Sequence, residues 1–226
     1  RADALFELIE ALLLTPIRSA VELSTSPAFR RCFASVYDAL RQGRLEHTRL
    51  QAALAAAEPE DAITVAGYAV YATDSTSTAR PDAATLPDRS QVYSAQHGKT
   101  APGHQFSWLG CIVARGQSWF APRQVERIPS TSTPAQVAAA QVQTLAAEAT
   151  PMTPKVIVGD SRYAHHSFLR VFVGLAHVQA LVRLACNRVL YGPPPPKTGK
   201  RGAPKKRGAK FRLQTPPPPE QQAEIR

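Results

Sequence analysis

Two short apolar runs, each closed by an aspartate, constrain this chain more than any other feature. One spans residues 62–74 and ends in Tyr71-Ala72-Thr73-Asp74; the other is Lys155-Val156-Ile157-Val158-Gly159-Asp160. Both read as strands from their β-branched, alternating character. A carboxylate at a strand's exit is held rigidly by the sheet while its head group faces an open crevice. One such Asp is more often a turn former or a helix N-cap than a ligand. Two on strands that lie side by side suit a divalent metal used in phosphoryl chemistry.

The elements around these runs decide whether the strands can be neighbours. Residues 1–57 are predicted helical. Leu5, Leu8, Ile9, Leu12 and Leu13 repeat at helical spacing. Ser26-Pro27 reads as the start of a second helix that would bury Phe29, Cys32, Phe33, Val36 and Tyr37 and stop at Gly43. A third helix is expected near residues 47–57. From Ile63 the pattern changes to strands. Residues 75–90 read as a polar loop, Val92 marks a short strand, and residues 104–114 and 118–128 form a hairpin about Arg115-Gly116-Gln117. Thr133-Pro134 opens an Ala/Gln-rich helix to about Glu148, whose turns are marked by Val137, Ala140, Gln141, Thr144 and Leu145. After Asp160, Phe168, Leu169, Phe172 and Val173 place a helix, and residues 179–184 a last strand. The expected order is a helical head, then β-β-β-α-β-α-β. Three regions follow: 1–60 helical, 61–191 an α/β core, and 192–226 a flexible basic segment.

That last segment stands apart in composition. Prolines fill 193–196 and 216–219, and between residues 197 and 226 nine Lys/Arg face two Glu. Nothing there can form a core. The chain's net charge of +10 is therefore concentrated at one end. Such a segment favours a polyanion through counterion release. Cys32, Cys111 and Cys186 lie far apart with no metal-ligand spacing and read as buried, reduced thiols. No apolar run approaches the roughly 18 residues of a membrane span. The chain starts at Arg1 and its one Met is Met152, as expected of a segment from a longer product.

Several strings in order then resemble a known family. They are Tyr71-Ala72-Thr73-Asp74-Ser75-Thr76, Arg80-Pro81-Asp82-Ala83-Ala84-Thr85, Val156-Ile157-Val158-Gly159-Asp160-Ser161-Arg162-Tyr163, the run 181–191 ending in Asn187-Arg188-Val189-Leu190-Tyr191, and the Lys/Arg/Gly/Pro tail. Together with the helical head and its Arg30-Arg31, they resemble bacterial insertion-sequence DDE transposases, also called DDE superfamily endonucleases. The resemblance implies an RNase H-like fold whose first and fourth strands deliver Asp74 and Asp160 as catalytic, metal-binding acids. It implies Mg²⁺ or Mn²⁺ as cofactor and DNA (element ends and target) as partner. It further implies a cytoplasmic, nucleoid-associated enzyme in a bacterium, acting as a homodimer, with no membrane. The family's third acid is a Glu on a later helix. After Asp160 the remaining carboxylate residues are Glu220 and Glu224, in the proline-rich tail, so the third acid is expected outside this segment. The alternative is a truncated remnant that binds DNA without cutting it.

Other residues carry weaker signals. Arg183 and Arg188 flank the last strand, either as surface charge or as phosphate contacts. Lys197, Lys200, Arg201, Lys205, Lys206, Arg207 and Lys210 read as a solvated linker or an arm laid on DNA phosphates. Thr73, Ser75 and Thr76 keep the surroundings of Asp74 polar. Asp82 and Asp88 read as solvated loop carboxylates, and His165-His166 as structural or phosphate-touching. Gly98-Lys99-Thr100 lacks the upstream glycine of a phosphate loop, since position 93 is Tyr93. Gly159-Asp160-Ser161 resembles the nucleophile block of GDS-type esterases, but no Asp follows to complete their Asp-x-x-His pair.

Overall fold

A computed structural model describes residues 2–212 apart from 17–18, 45, 61, 95–97, 114–119, 197–202 and 204–205. The expected turn at 115–117 falls outside the described residues. The chain divides into two compact units, residues 1–53 and 54–226.

The first unit is built on helices α1 (Ala2–Leu14), α2 (Ala20–Leu23) and α3 (Phe33–Gln42), and α4 (His47–Ala56) follows. Ala4, Leu8, Ala11, Leu23, Phe29, Val36 and Ala39 form its small core. Ser26-Pro27 starts no helix: Ser26 lies in a turn closed by the Phe29 N–H, and α3 begins six residues after Pro27, with Cys32 at its N-cap. The helix is therefore rotated from the expected one. It buries Val36 and Ala39, while Cys32, Phe33 and Tyr37 are exposed. Arg31 Nε lies 3.3 Å from buried Glu7, and the Arg30 N–H donates to the same carboxylate at 3.1 Å. That gives the Arg30-Arg31 pair a local structural role.

The second unit is organised by one seven-stranded sheet. The apolar run 62–74 is not one strand. Ala66 and Gly67 both have positive φ, at 50° and 84°, and fold β1 (Thr64–Val65) back onto β2 (Tyr68–Ala79). β2 also runs past Asp74, because Ser75-Thr76-Ser77-Thr78 alternates, is half β-branched and pairs with β4 (Lys99–Ile112) as far as Ala79–Gly103. The predicted loop thus shrinks to the residues after Ala79. β3 (Ser90–Ser94) and β5 (Phe120–Ile128) share the outer edge of β4, on its first and second parts. On the other side of β2 come β6 (Lys155–Gly159) and β7 (Val178–Val182), both parallel to it. The main order β5-β4-β2-β6-β7, antiparallel then parallel, is the RNase H-like arrangement that the sequence pattern implies.

Helix α5 (Pro134–Ala146) joins β5 to β6. Its start is fixed by a capping box between Thr133 and Gln136 with Pro134 in the first turn. Its buried stripe is Ala135, Ala138, Gln141, Val142 and Leu145, displaced from the expected one. It covers one face of the sheet over Tyr71, Leu109, Cys111 and Ile157. Each large apolar side chain fully buried there contributes about 1.5–3 kcal/mol. Gln141 is the polar member of the stripe, and its amide exchanges hydrogen bonds with Ser107 of β4 at 2.7 and 3.3 Å. Short α6 (His166–Leu169) and a 3-10 turn (Arg170–Phe172) add Phe168 to the same core.

Of the cysteines, Cys111 is buried, whereas Cys32 and Cys186 are exposed, against expectation. A small ladder pairs β8 (Val189–Tyr191) with β9 (Lys210–Arg212), so the basic segment returns to strand geometry after its proline run. Among the described residues no helix is long and apolar enough to cross a membrane.

Candidate active site

Asp74 and Asp160 leave the same parallel ladder. The last pair of β2 with β6 is Thr73 with Gly159, and the next residue on each chain is an aspartate. On the far side of β6, Gly159 pairs with Val182, and the Arg183 N–H extends the ladder to the Gly159 carbonyl at 3.1 Å. On the near side, Asp74 stands directly opposite Trp108 of β4. One row across four strands therefore runs Trp108, Asp74, Asp160, Arg183. Asp74 is not at a strand terminus. It sits where β6 stops and β2 continues, so a notch opens beside it.

Alternation assigns the faces. Tyr71, Thr73, Ile157 and Gly159 point into the core under α5 and are buried. Asp74 and Asp160 fall on the opposite face and are exposed. That face carries a shallow groove of about 490 Å³ lined by Val65, Tyr68, Val70, Val156, Val158, Gln179 and Leu181. Tyr68 and Val70 share the parity of Asp74, and Val156 and Val158 that of Asp160. The apolar groove thus leads up to the two carboxylates.

Backbone amides orient both acids. The Ser75 N–H donates to Asp74 Oδ1 at 2.7 Å, and the Arg162 N–H donates to Asp160 Oδ1 at 2.8 Å. Neither carboxylate has an ion-pair partner among the described residues. Behind them, Tyr163 is fully buried. Burial raises its phenol above the ordinary tyrosine value. The Thr73 and Ser75 hydroxyls lower it, and the charges of Asp74 and Asp160 push it up again. The Tyr163 and Thr73 hydroxyls nevertheless lack a hydrogen bond of normal geometry, as does the buried indole N–H of Trp108. Thr73 is thus buried behind the pair and keeps the surroundings of Asp74 polar from the core side.

The donor set suits a hard cation in part. Asp74 and Asp160 offer oxygen ligands of the kind Mg²⁺ uses, and Mg²⁺ commonly takes one or two carboxylates and keeps waters. Among the described residues no group of three His, Cys, Asp or Glu comes together to hold a metal.

The remaining candidates disperse. Arg183 is exposed beside Asp160, and Arg188 is half-buried in the turn before β8. Lys206 is exposed, Lys210 lies on β9, and Arg207 stacks over the Tyr191 ring at 4.7 Å. Lys197, Lys200, Arg201 and Lys205 lie outside the described residues. His165 caps α6, accepting from the Ser167 N–H at 3.3 Å. Asp88 pairs with Arg127 at 2.7 Å and accepts from the Ser130 N–H. Ser130, and then Arg127, hold its carboxyl below the ordinary value. Asp82 is exposed. Trp108 and Tyr163 carry no sequence signal of their own, since strand register and a four-residue turn bring them to the pair.

No curated protein matches the chain. A solved structure, the cryo-EM structure of a piggyBac transposase synaptic complex with hairpin DNA, resembles it with a TM-score of 0.41 and 11% identity. The match covers 81% of this chain and 41% of that one, so this chain spans about two fifths of that protein's length. One family, described as DDE superfamily endonuclease, matches residues 1–225. The chain belongs to the DDE superfamily endonucleases.

Proposed function

We propose that this chain is the part of a DNA transposase that carries two of its three catalytic acids, Asp74 and Asp160. The observation that carries this reading is the register: the two aspartates follow one paired Thr73–Gly159 rung and share the open face of the sheet. Asp74 and Asp160 would hold Mg²⁺ or Mn²⁺, which when bound supplies Lewis-acid activation of water or a DNA 3′-OH and stabilises the leaving oxygen. The chain's own groups do the rest. The Ser75 and Arg162 amides fix the two carboxylates, and Arg183, exposed next to Asp160, offers a phosphate contact.

In this reading the third acid would come from an element packed on the open face. Parallel strands are commonly buried on both faces, and here an apolar groove lined by Val70, Val158 and Leu181 lies over β2, β6 and β7. An element packed in that groove would place a side chain beside the pair. A second reading, a remnant that binds DNA without cutting, draws on the absence of a third carboxylate next to the pair among the described residues.

Mg²⁺- or Mn²⁺-dependent nicking of element-end DNA by the full-length product separates the two. The transposase reading requires nicking that Asp74→Asn and Asp160→Asn each abolish. Equal nicking by both variants sinks the assignment, and no nicking by the intact product selects the remnant.

A further inference from the structure

We infer that Tyr163 is the positioning residue that sets the spacing of Asp74 and Asp160. Its two ends reach the two carriers of the acids. Its backbone N–H donates to the Asp160 carbonyl at 3.1 Å, closing the turn that leaves β6. Its ring then passes under the β6 terminus. A Cβ built at Gly159 would meet Tyr163 Cβ at 3.0 Å and its ring at 3.2 Å, so glycine at 159 is what lets the ring lie there. Its hydroxyl approaches those of Thr73 and Ser75, the residues on either side of Asp74, and closes no hydrogen bond of normal geometry there. Ser75 is itself held by Gln105 Nε2 at 3.1 Å. A rigid aromatic thus spans from the exit of β6 to the notch in β2.

Packing alone does not account for the hydroxyl. The ring is held edge to face by Phe168, with centroids 5.2 Å apart. A phenylalanine would fill the same space without burying an unpartnered oxygen. Buried polar groups are nearly always hydrogen-bonded, and one that is not calls for an explanation such as a bound ion or a water. Here two such hydroxyls, Tyr163 and Thr73, are buried near each other, and Tyr163 feels the charge of both aspartates. Groups placed behind metal-binding carboxylates orient them, and their loss commonly weakens metal affinity about 10–100-fold. That the aspartates hold a metal rests on the function proposed above; that Tyr163 ties them together does not.

The test therefore uses two readouts on the full chain. The first is the ¹H–¹⁵N shifts of the Ser75 and Arg162 amides, which report the geometry of each carboxylate with no metal present. The second is Mn²⁺ affinity by calorimetry. Tyr163→Phe is expected to keep the melting temperature, to move both amide resonances, and to weaken Mn²⁺ binding about tenfold. Thr73→Val, the second variant, should move the Ser75 amide in the same sense. If both amides stay in place in Tyr163→Phe, the strut is refuted, whatever the Mn²⁺ result. If they move while the wild type binds no Mn²⁺, the strut stands and the metal assignment falls.

Discussion

The two ends of the central strands treat charge in opposite ways. At the entrance of β2 and β6, charged groups are wholly or partly buried and engaged by neighbours. The Tyr71 hydroxyl donates to Glu58. Arg123 lies between Glu58 at 3.3 Å and Glu148 at 2.6 Å, with only 10% of its side chain exposed. Lys155 is buried over the Tyr71 ring at 5.2 Å. At the other end, two exposed carboxylates share a notch, and each receives a backbone N–H but no cation. Matched charges close one end of the sheet as structure. The negative charges at the other end are left exposed and unmatched among the described residues.

The sharpest way to break that contrast is to neutralise the acids. Asp74→Asn or Asp160→Asn should lower nicking by the full-length product about 10³-fold, the equivalent of roughly 4 kcal/mol of transition-state stabilisation. The same changes should alter unfolding stability by no more than about 0.5 kcal/mol, because both sites are exposed and unpaired. A large loss of stability on urea denaturation would show that the pair is structural and would erase the contrast.

The converse holds at the entrance. Arg123→Met should destabilise the fold by about 2–3 kcal/mol, since it strands Glu58 and Glu148 without a cation. The figure lies below that for a fully buried pair because 46% of the Glu148 side chain is exposed. Glu58→Gln should cost less, as the amide still accepts from Tyr71. Equal stability of Arg123→Met and the wild type in urea would mean that the entrance network is an ordinary surface cluster.

How much of this contrast can be read from sequence depends on the range of each contact. The parallel rung beneath Asp74 and Asp160 is legible because buried strands are continuous apolar runs, and their order limits which can be neighbours. The continuation of β2 through Ser75-Thr76-Ser77-Thr78 is not, since polar residues at a sheet extension look like a loop until β4 is there to pair with them. The hairpin at Ala66-Gly67 hides inside one apolar run. In the head, hydrophobic spacing marks α3 but not its rotation, which is set by Val36 and Ala39 packing on α1, so Phe33 and Tyr37 turn outward. The Glu58–Arg123–Glu148 network is invisible because its members lie far apart in the chain and no local pattern links them. Tyr163 is the intermediate case. It lies three residues from Asp160, yet its meaning comes from Gly159 and Thr73 across a rung.

Alkaline pH sharpens the contrast further. Burial and the Glu58 carboxylate hold the Tyr71 phenol well above its ordinary value, and burial raises that of Tyr163. A tyrosine raised in the fold contributes stability that is complete below its unfolded pKa, near 10, and is lost as pH climbs toward the folded value. Stability should therefore decline above about pH 10. Tyr71→Phe should flatten that decline while costing about 1.5–3 kcal/mol at neutral pH through its lost bond to a charged acceptor. Tyr163→Phe should flatten the rest at no neutral-pH cost. An alkaline slope unchanged in the double variant would place its origin elsewhere.

The smallest effect separates two arginines by whether their charge is already engaged. Arg183 is exposed at the end of the Trp108–Asp74–Asp160 row, with no ion-pair partner among the described residues. Arg207 is stacked on Tyr191. One phosphate contact contributes about 0.9 to the slope of log affinity against log salt on duplex DNA. Arg183→Ala should reduce that slope by about this amount, with little change in sequence preference, because a phosphate contact carries no base readout. Arg207→Ala should change it less and should also loosen the β8–β9 ladder through loss of the stacked guanidinium. The reverse ranking in a salt titration would mean that the DNA path follows the β8–β9 ladder and not the edge of the aspartate notch.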